Sequence, residues 1–370
     1  MDLEFEEHQK ELGEAAAELL ANECPPAVVR AVTDGSGDPL VEGLWKTLGS
    51  LDWPLLTIPE ADGGMGMTAV DLGIVCEQLG YVADPTPFVA TTSQFVPAVV
   101  NCAGDEQRRR FLAPVVSGGT GALAAAPLPG AEQPVTATRS GDSWTLSGTV
   151  EFVVDGDRAD EIAVLAAGPE GTDVFVVPGD APRVDRTHSF DATLHVAQVC
   201  LDGVEVPEDR RLVGGPGSAT HAVEEATTAM ALVVVGACQR ALDMVVEYAK
   251  EREQFGKPIG SFQAVKGKAV DMYVAIERAK ALAYFAALTA AEDDPRRSIA
   301  ASMASAGASD AQRLVFQHAI QLFGGIGFTW ENDVHLYLRR AKAASLLFGS
   351  ANDHRARVGA DALASRGGTR

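Results

Sequence analysis

The sequence predicts an α+β chain in three parts: an N-terminal helical domain (1–114), a central β-barrel domain (115–215) and a C-terminal four-helix bundle (216–370). Three observations predict it. Apolar residues recur at helical spacing through the first third. Between about 115 and 215 the pattern changes to short β-branched segments separated by Gly, Pro and Asp turns. From Ala222 onward the helical period returns in runs far longer than strands reach.

In the first part, residues 5–20 and 40–51 carry apolar residues at helical spacing among charged ones. A Gly-rich loop follows, Pro59-Glu-Ala-Asp-Gly-Gly-Met-Gly. It lacks a preceding apolar strand and the Lys-Ser/Thr of a phosphate loop, so it reads as a connector. Thr68 is placed to cap a helix over 69–79, with Gly80 as its stop, and a further helix is expected over 106–117. In the middle part, strands are expected around Thr145-Leu-Ser-Gly and over 150–154, 161–166, 172–177 and 194–206. Turns such as Ser140-Gly-Asp and Pro178-Gly-Asp divide them. The last part predicts helices over about 222–252, 261–292, 296–323 and 332–364, broken at Phe255-Gly-Lys-Pro, Asp293-Asp294-Pro295 and Gly324-Gly-Ile-Gly.

Composition narrows the function classes. With 370 residues, 46% of them hydrophobic, the chain can bury a large core. A net charge of -21 argues against nucleic acid as a partner, because phosphates require a basic face. The five Cys (24, 76, 102, 200 and 238) are odd in number and lack CxxC spacing, which predicts reduced thiols and a cytoplasmic protein. The acidic start lacks a signal core, and no segment reads as long and apolar enough to span a bilayer, so no membrane association is expected. The seven His show no metal-ligand spacing, and no GxGxxG follows a strand.

Two Gly-rich corners remain, each at the end of a bundle helix. The first is Arg252-Glu-Gln-Phe-Gly-Lys-Pro-Ile-Gly-Ser-Phe-Gln, where an Arg beside Gly-permitted backbone can hold a phosphate bidentately. The second is Gln321-Leu-Phe-Gly-Gly-Ile-Gly-Phe, where the absent side chains expose backbone N–H groups to an anion. Either alone also reads as an ordinary helix turn. The pair is more specific.

These two stretches, with Pro59-Glu-Ala-Asp-Gly-Gly-Met-Gly and Glu77-Gln-Leu-Gly, resemble the motifs of the acyl-CoA dehydrogenase family over nearly the whole chain. The resemblance implies the same three-part fold and α,β-dehydrogenation of an acyl-CoA thioester. A carboxylate takes the α proton, FAD takes the β hydride, and an electron-transferring flavoprotein is the acceptor. It implies an FAD shared across a subunit interface, with Arg252, Phe255, Gln263, Gln321, Gly324 and Gly325 forming the pyrophosphate and adenosine half-site.

The other half departs from the family pattern. The barrel motif falls on Ala126-Pro-Leu-Pro-Gly-Ala-Glu-Gln, without its Thr and Ser donors, and the flavin-facing Trp-Ile-Thr/Ser falls on Phe152-Val153-Val154. The catalytic carboxylate near the C-terminus falls on Phe348, and the alternative position on an earlier helix falls on Ala226, with Glu225 one residue away. The expectation is therefore a non-catalytic subunit of an α2β2 enzyme, like actinobacterial dehydrogenases of steroid side-chain degradation. Its paralogous partner would carry the base and the acyl-CoA cleft. The alternatives are a homotetrameric dehydrogenase with Glu225 as base, and a catalytically dead scaffold or CoA-ester binding homologue.

Overall fold

The computed structural model describes residues 4–215 and 217–367. Helices α1 (Glu7–Glu23), α2 (Pro26–Thr33), α3 (Asp38–Ser50), α4 (Ala69–Val82), α5 (Phe88–Ala90), α6 (Val96–Cys102) and α7 (Asp105–Val116) precede the strands. Strands β1 (Gly121–Ala124), β2 (Val135–Ser140), β3 (Ser143–Val154), β4 (Glu161–Gly168), β5 (Gly171–Pro178), β6 (Arg183–Thr187), β7 (Val196–Pro207) and β8 (Arg211–Leu212) follow. Then come α8 (Ser218–Glu251), a short hairpin of β9 (Glu253–Gln254) and β10 (Lys257–Pro258), α9 (Gln263–Ala291), α10 (Arg297–Phe323), α11 (Val334–Leu347) and α12 (Ala351–Gly367). The expected α+β order of helical, sheet and helical regions is borne out.

The chain forms two compact units. One contains Met1–Gly37, Gly73–Asp84 and Thr227–Arg370, and the other Asp38–Leu72 and Pro85–Ala226. In the second unit the strands form one sheet in the order β6-β7-β3-β2-β4-β5-β8, with β1 also paired to β4. One edge of β4 takes β1 in parallel at its start and β2 at Thr136 opposite Ala167 near its end. Alternate residues of β2, β3, β4, β5 and β7, among them Val135, Trp144, Leu146, Val164, Phe175 and Val199, share one apolar core. Period-two alternation thus puts one face of the sheet inside, as the β-branched segments predict.

Three expectations change. Gly80 does not stop α4, which runs on to Val82. The stop is Ala83 at φ 56°, with the Asp84 N–H bonded to the Leu79 carbonyl (2.9 Å). Gly80 instead makes room. A Cβ there would lie 2.1 Å from the Val233 carbonyl oxygen, and one on Gly236 would lie 1.8 Å from that of Glu77.

The long C-terminal run is also two helices. Gly349 (φ 98°) turns the chain, and Ser350 caps α12: its N–H and Oγ both donate to Asp353 (2.9 and 2.6 Å), a reciprocal box spaced Ser-x-x-Asp. Finally, α8 is long and apolar enough by length and composition to cross a membrane, contrary to the sequence reading. Its apolar window is 72% buried within the protein, as in a core helix.

Gly80→Ala and Gly236→Ala push a methyl into backbone and are expected to cost about 1–3 kcal/mol each, as overpacking does. Gly43, within α3, has no atom within 4 Å of an added Cβ, so Gly43→Ala should stabilise by roughly 0.5–1 kcal/mol through helix propensity. Denaturant midpoints measure all three.

Candidate functional site

The first corner begins where α8 runs out. The Arg252 N–H still reaches the Tyr248 carbonyl (2.8 Å), and the chain then doubles back through the small hairpin. Gln254 faces Lys257 and Glu253 faces Pro258, leaving Phe255 and Gly256 as a two-residue loop. Both have positive φ, 54° and 77°, the pair that a type I′ hairpin turn requires. Asn-Gly suits such a turn; a bulky Phe in the left-handed region is strained. Its ring is 91% exposed, and its ring neighbour is Phe262, edge-on at 6.0 Å. Strain that gains so little burial points to function rather than stability.

The segment then lies back on α8, because Gly260 approaches Ala249 so closely that a Cβ would sit 2.8 Å from its carbonyl oxygen. Helix α9 starts at Gln263. Phe262 at its N-cap offers no side-chain hydrogen bond, so the positive end of a 29-residue helix opens beside the hairpin.

The second corner ends α10. Gly324 takes φ 65°, and a 3-10 turn runs over Gly324–Phe328. An added Cβ on Gly324 or Gly325 would meet nothing within 4 Å, so the backbone there is open to approach. The ring of Tyr248, one turn before Arg252, packs on the ring of Phe323, next to Gly324, at 4.9 Å. That contact joins the two corners.

The electrostatics are mixed. Helices α8 and α10 both end here, presenting partial negative charge of about half a unit each, while α9 presents the opposite pole. Exposed Arg252 adds a full positive charge and makes no ion pair among the described residues. Lys257 in the same hairpin is exposed too, as are Glu251 and Glu253, so the groups suited to an anion are the Arg252 guanidinium and the α9 N-terminus rather than the summed charge. Gln263, Gln321 and Gly325 are also exposed, and Gly324 is half-buried. The residues present fit a diphosphate-bearing group such as FAD.

The base positions are of another kind. Phe348 is 9% exposed, and its carbonyl accepts a hydrogen bond from Nε2 of His354 (2.7 Å), which is fully buried. Ala226 is fully buried. Glu225 is half-buried and lies in the second turn of α8, which starts at Ser218. Asn101 Nδ2 donates to its Oε1 (3.0 Å) and also to the Pro97 carbonyl (2.8 Å). Burial, then the charge of Glu225, push the Cys102 thiol up to about 12.

The remaining expected motifs lie in the sheet unit. The loop at Ala126 is closed on itself: Gln133 Oε1 accepts the Ala126 N–H (2.8 Å), and its Nε2 donates to the Ala131 carbonyl (3.1 Å). Phe152 has φ 58° and is 57% exposed, at a register shift in β3, while Val153 and Val154 are 2% exposed. Sequence reasoning missed a buried π-helical stretch, Thr91–Phe95, with Thr91, Thr92, Ser93 and Gln94 all fully buried. Four polar residues in succession inside an apolar helix were the available signal; Thr91 Oγ1 accepts the Gly121 N–H (3.1 Å). The small hairpin was missed because Phe-Gly is not a usual type I′ pair.

Phe255→Asn is expected to leave stability unchanged or raise it by up to about 1 kcal/mol, because Asn tolerates positive φ. A denaturant midpoint that fell instead would make Phe255 a structural residue.

The geometry can be set beside known proteins. Residues 6–119 match the acyl-CoA dehydrogenase N-terminal domain, and residues 214–363 the C-terminal domain of the same family. The acyl-CoA dehydrogenase IpdE2 of Mycobacterium tuberculosis is 31% identical, over 93% of this chain and 94% of its own. The ChsE4-ChsE5 complex from Mycobacterium tuberculosis superposes with TM-score 0.90 at 27% identity, covering 98% of this chain and 99% of that one. A Tcur3481-Tcur3483 steroid ACAD variant gives TM-score 0.88 at 30% identity, with the same coverage. The chain belongs to the acyl-CoA dehydrogenase family, whose members are FAD-binding oxidoreductases acting on acyl-CoA.

Proposed function

We propose that this chain is the non-catalytic subunit of a heteromeric, α2β2 FAD-dependent acyl-CoA dehydrogenase. Its role is to supply the pyrophosphate and adenosine half of the FAD site to a paralogous catalytic partner. The observation that carries this reading is a contrast between two surfaces of one chain. The corner at Arg252 has an exposed guanidinium and open backbone, whereas the loop at Ala126, which would face the flavin, has its N–H taken by Gln133. The base positions support the same reading, since Phe348 and Ala226 have no titratable group.

In this assignment Arg252 neutralises the pyrophosphate, and the open backbone of Gly324 and Gly325 lets its oxygens approach. Gln263 and Gln321 give amide hydrogen bonds, and the exposed Phe255 ring covers an apolar face of the cofactor. Bound FAD supplies the hydride acceptor; the proton-removing base comes from the partner. Two structural relatives are themselves two-component, the ChsE4-ChsE5 complex and the Tcur3481-Tcur3483 steroid ACAD. The second favours a steroid side-chain CoA ester as substrate. An electron-transferring flavoprotein is the electron acceptor that the family resemblance implies.

Purified alone, the chain is expected to carry less than about a tenth of an equivalent of FAD, by visible absorbance. Co-expression with the partner should restore the flavin spectrum, turnover and an α2β2 native mass. In that heteromer Arg252→Gln should release FAD, with a loss of affinity of about tenfold or more, as expected for one charged hydrogen bond. Glu225→Gln should leave turnover intact. Stoichiometric FAD with turnover on the lone chain would overturn the proposal, and loss of that turnover in Glu225→Gln would then identify Glu225 as a base. An FAD-free, stable homo-oligomer with no partner would indicate a scaffold instead.

A further inference from the structure

A cavity in the helical unit lies apart from both corners. Its origin is local. Helix α1 ends at Cys24 because Pro25 and Pro26 follow; neither has an N–H to continue the ladder, and α2 starts anew at Pro26. Beneath this break is a cavity of about 360 Å3, walled by Leu20, Cys24, Gln78, Tyr81, Arg240 and Tyr337 among others. That volume is in the range of small-molecule pockets, roughly 300–1,000 Å3.

Its polar feature is Arg240. The guanidinium carbon lies 5.4 Å from the ring centroid of Tyr81 and 5.7 Å from that of Tyr337, so two aromatic faces hold the cation. Nη1 donates to the Tyr81 hydroxyl (3.4 Å), which itself donates to Asp243 (3.0 Å). Gln239 occupies the other Asp243 oxygen (2.8 Å). Asp243 therefore reaches Arg240 only through a tyrosine. Arg340 and Asp84, both buried, are close enough to Cys24 to move its titration, and Arg340 donates to the Asp84 carbonyl (2.7 Å). Of these four charged groups, only Arg240 lines the cavity, and it makes no ion pair among the described residues.

We infer that this cavity is a binding site for an apolar molecule with a single carboxylate head, taken up by Arg240. A guanidinium presents paired N–H donors matched to a carboxylate. A doubly charged phosphate would leave one charge uncompensated between apolar walls. Tyr337 and Gln78 provide neutral polar groups at the head, and the Leu20 side of the cavity takes the hydrocarbon body. The site is separate from the FAD corner and does not depend on the subunit assignment.

Octanoate is the probe, titrated calorimetrically into the full chain, with 1-octanol as the uncharged control. Octanoate should bind at one site. Arg240→Gln should weaken it at least tenfold while leaving octanol unchanged, with Arg240→Lys in between because it keeps charge but loses the fork. Ala17→Trp, at an exposed wall position of α1, fills the cavity and should abolish both. If Arg240→Gln fails to fold, Ala17→Trp carries the test with Arg240 untouched. No octanoate binding to the parent chain, or binding that survives Ala17→Trp, overturns the inference. So does equal affinity in a folded Arg240→Gln.

Discussion

The helical unit depends on how closely α4 and α8 pass. Gly80 meets the backbone of Val233, and Gly236 meets the backbone of Glu77, each at a distance no Cβ permits. The two glycines work as a reciprocal pair, one from each helix. This proximity brings Glu77 to a buried position where Lys280 (2.7 Å) and the Tyr284 hydroxyl (2.7 Å) donate to its two carboxylate oxygens. A buried carboxylate needs such compensation, and it comes from α9. The two backbone contacts set α4 against α8, the Glu77 bonds add α9, and α9 begins at the first corner.

From that frame the functional geometry follows with few additional parts. The Tyr248–Phe323 ring contact fixes the end of α8 against the end of α10. Two helix termini of the wrong polarity for an anion meet there, and the exposed Arg252 guanidinium and the α9 N-terminus offset them. The sheet unit moves in the other direction. Its candidate loop spends its donor on Gln133, and its strand turns two valines into the core. Polar groups are open at the corner and satisfied at the Ala126 loop.

Much of this was legible in the sequence, because helical periodicity and β alternation each survive in a single chain. The two corners were legible because glycines clustered beside Arg252 and Gln321. What escaped has a common cause: one residue type serves several ends. A glycine that admits another backbone looks like one that stops a helix, so Gly80 was read as punctuation. Ser350 and Asp353 carry the spacing of a helix start, but helical periodicity continues across them and hides the break. The Arg240 cavity was illegible for a different reason. Cys24, Tyr81, Arg240 and Tyr337 are far apart in sequence, and only packing brings them around one space.

The bond between His354 and the Phe348 carbonyl limits what position 348 can hold. A carboxylate placed at 348 would enter a site 9% exposed, beside an imidazole that is fully buried and whose Nε2 proton is committed to the backbone. Burial already pushes the His354 pKa down, so it is a poor source of compensating charge. A carboxylate introduced there by one substitution would lose its hydration without gaining a charged partner from His354. Phe348 therefore suits its surroundings better than an acid would. Placing a working acid at position 348 would thus take more than one substitution.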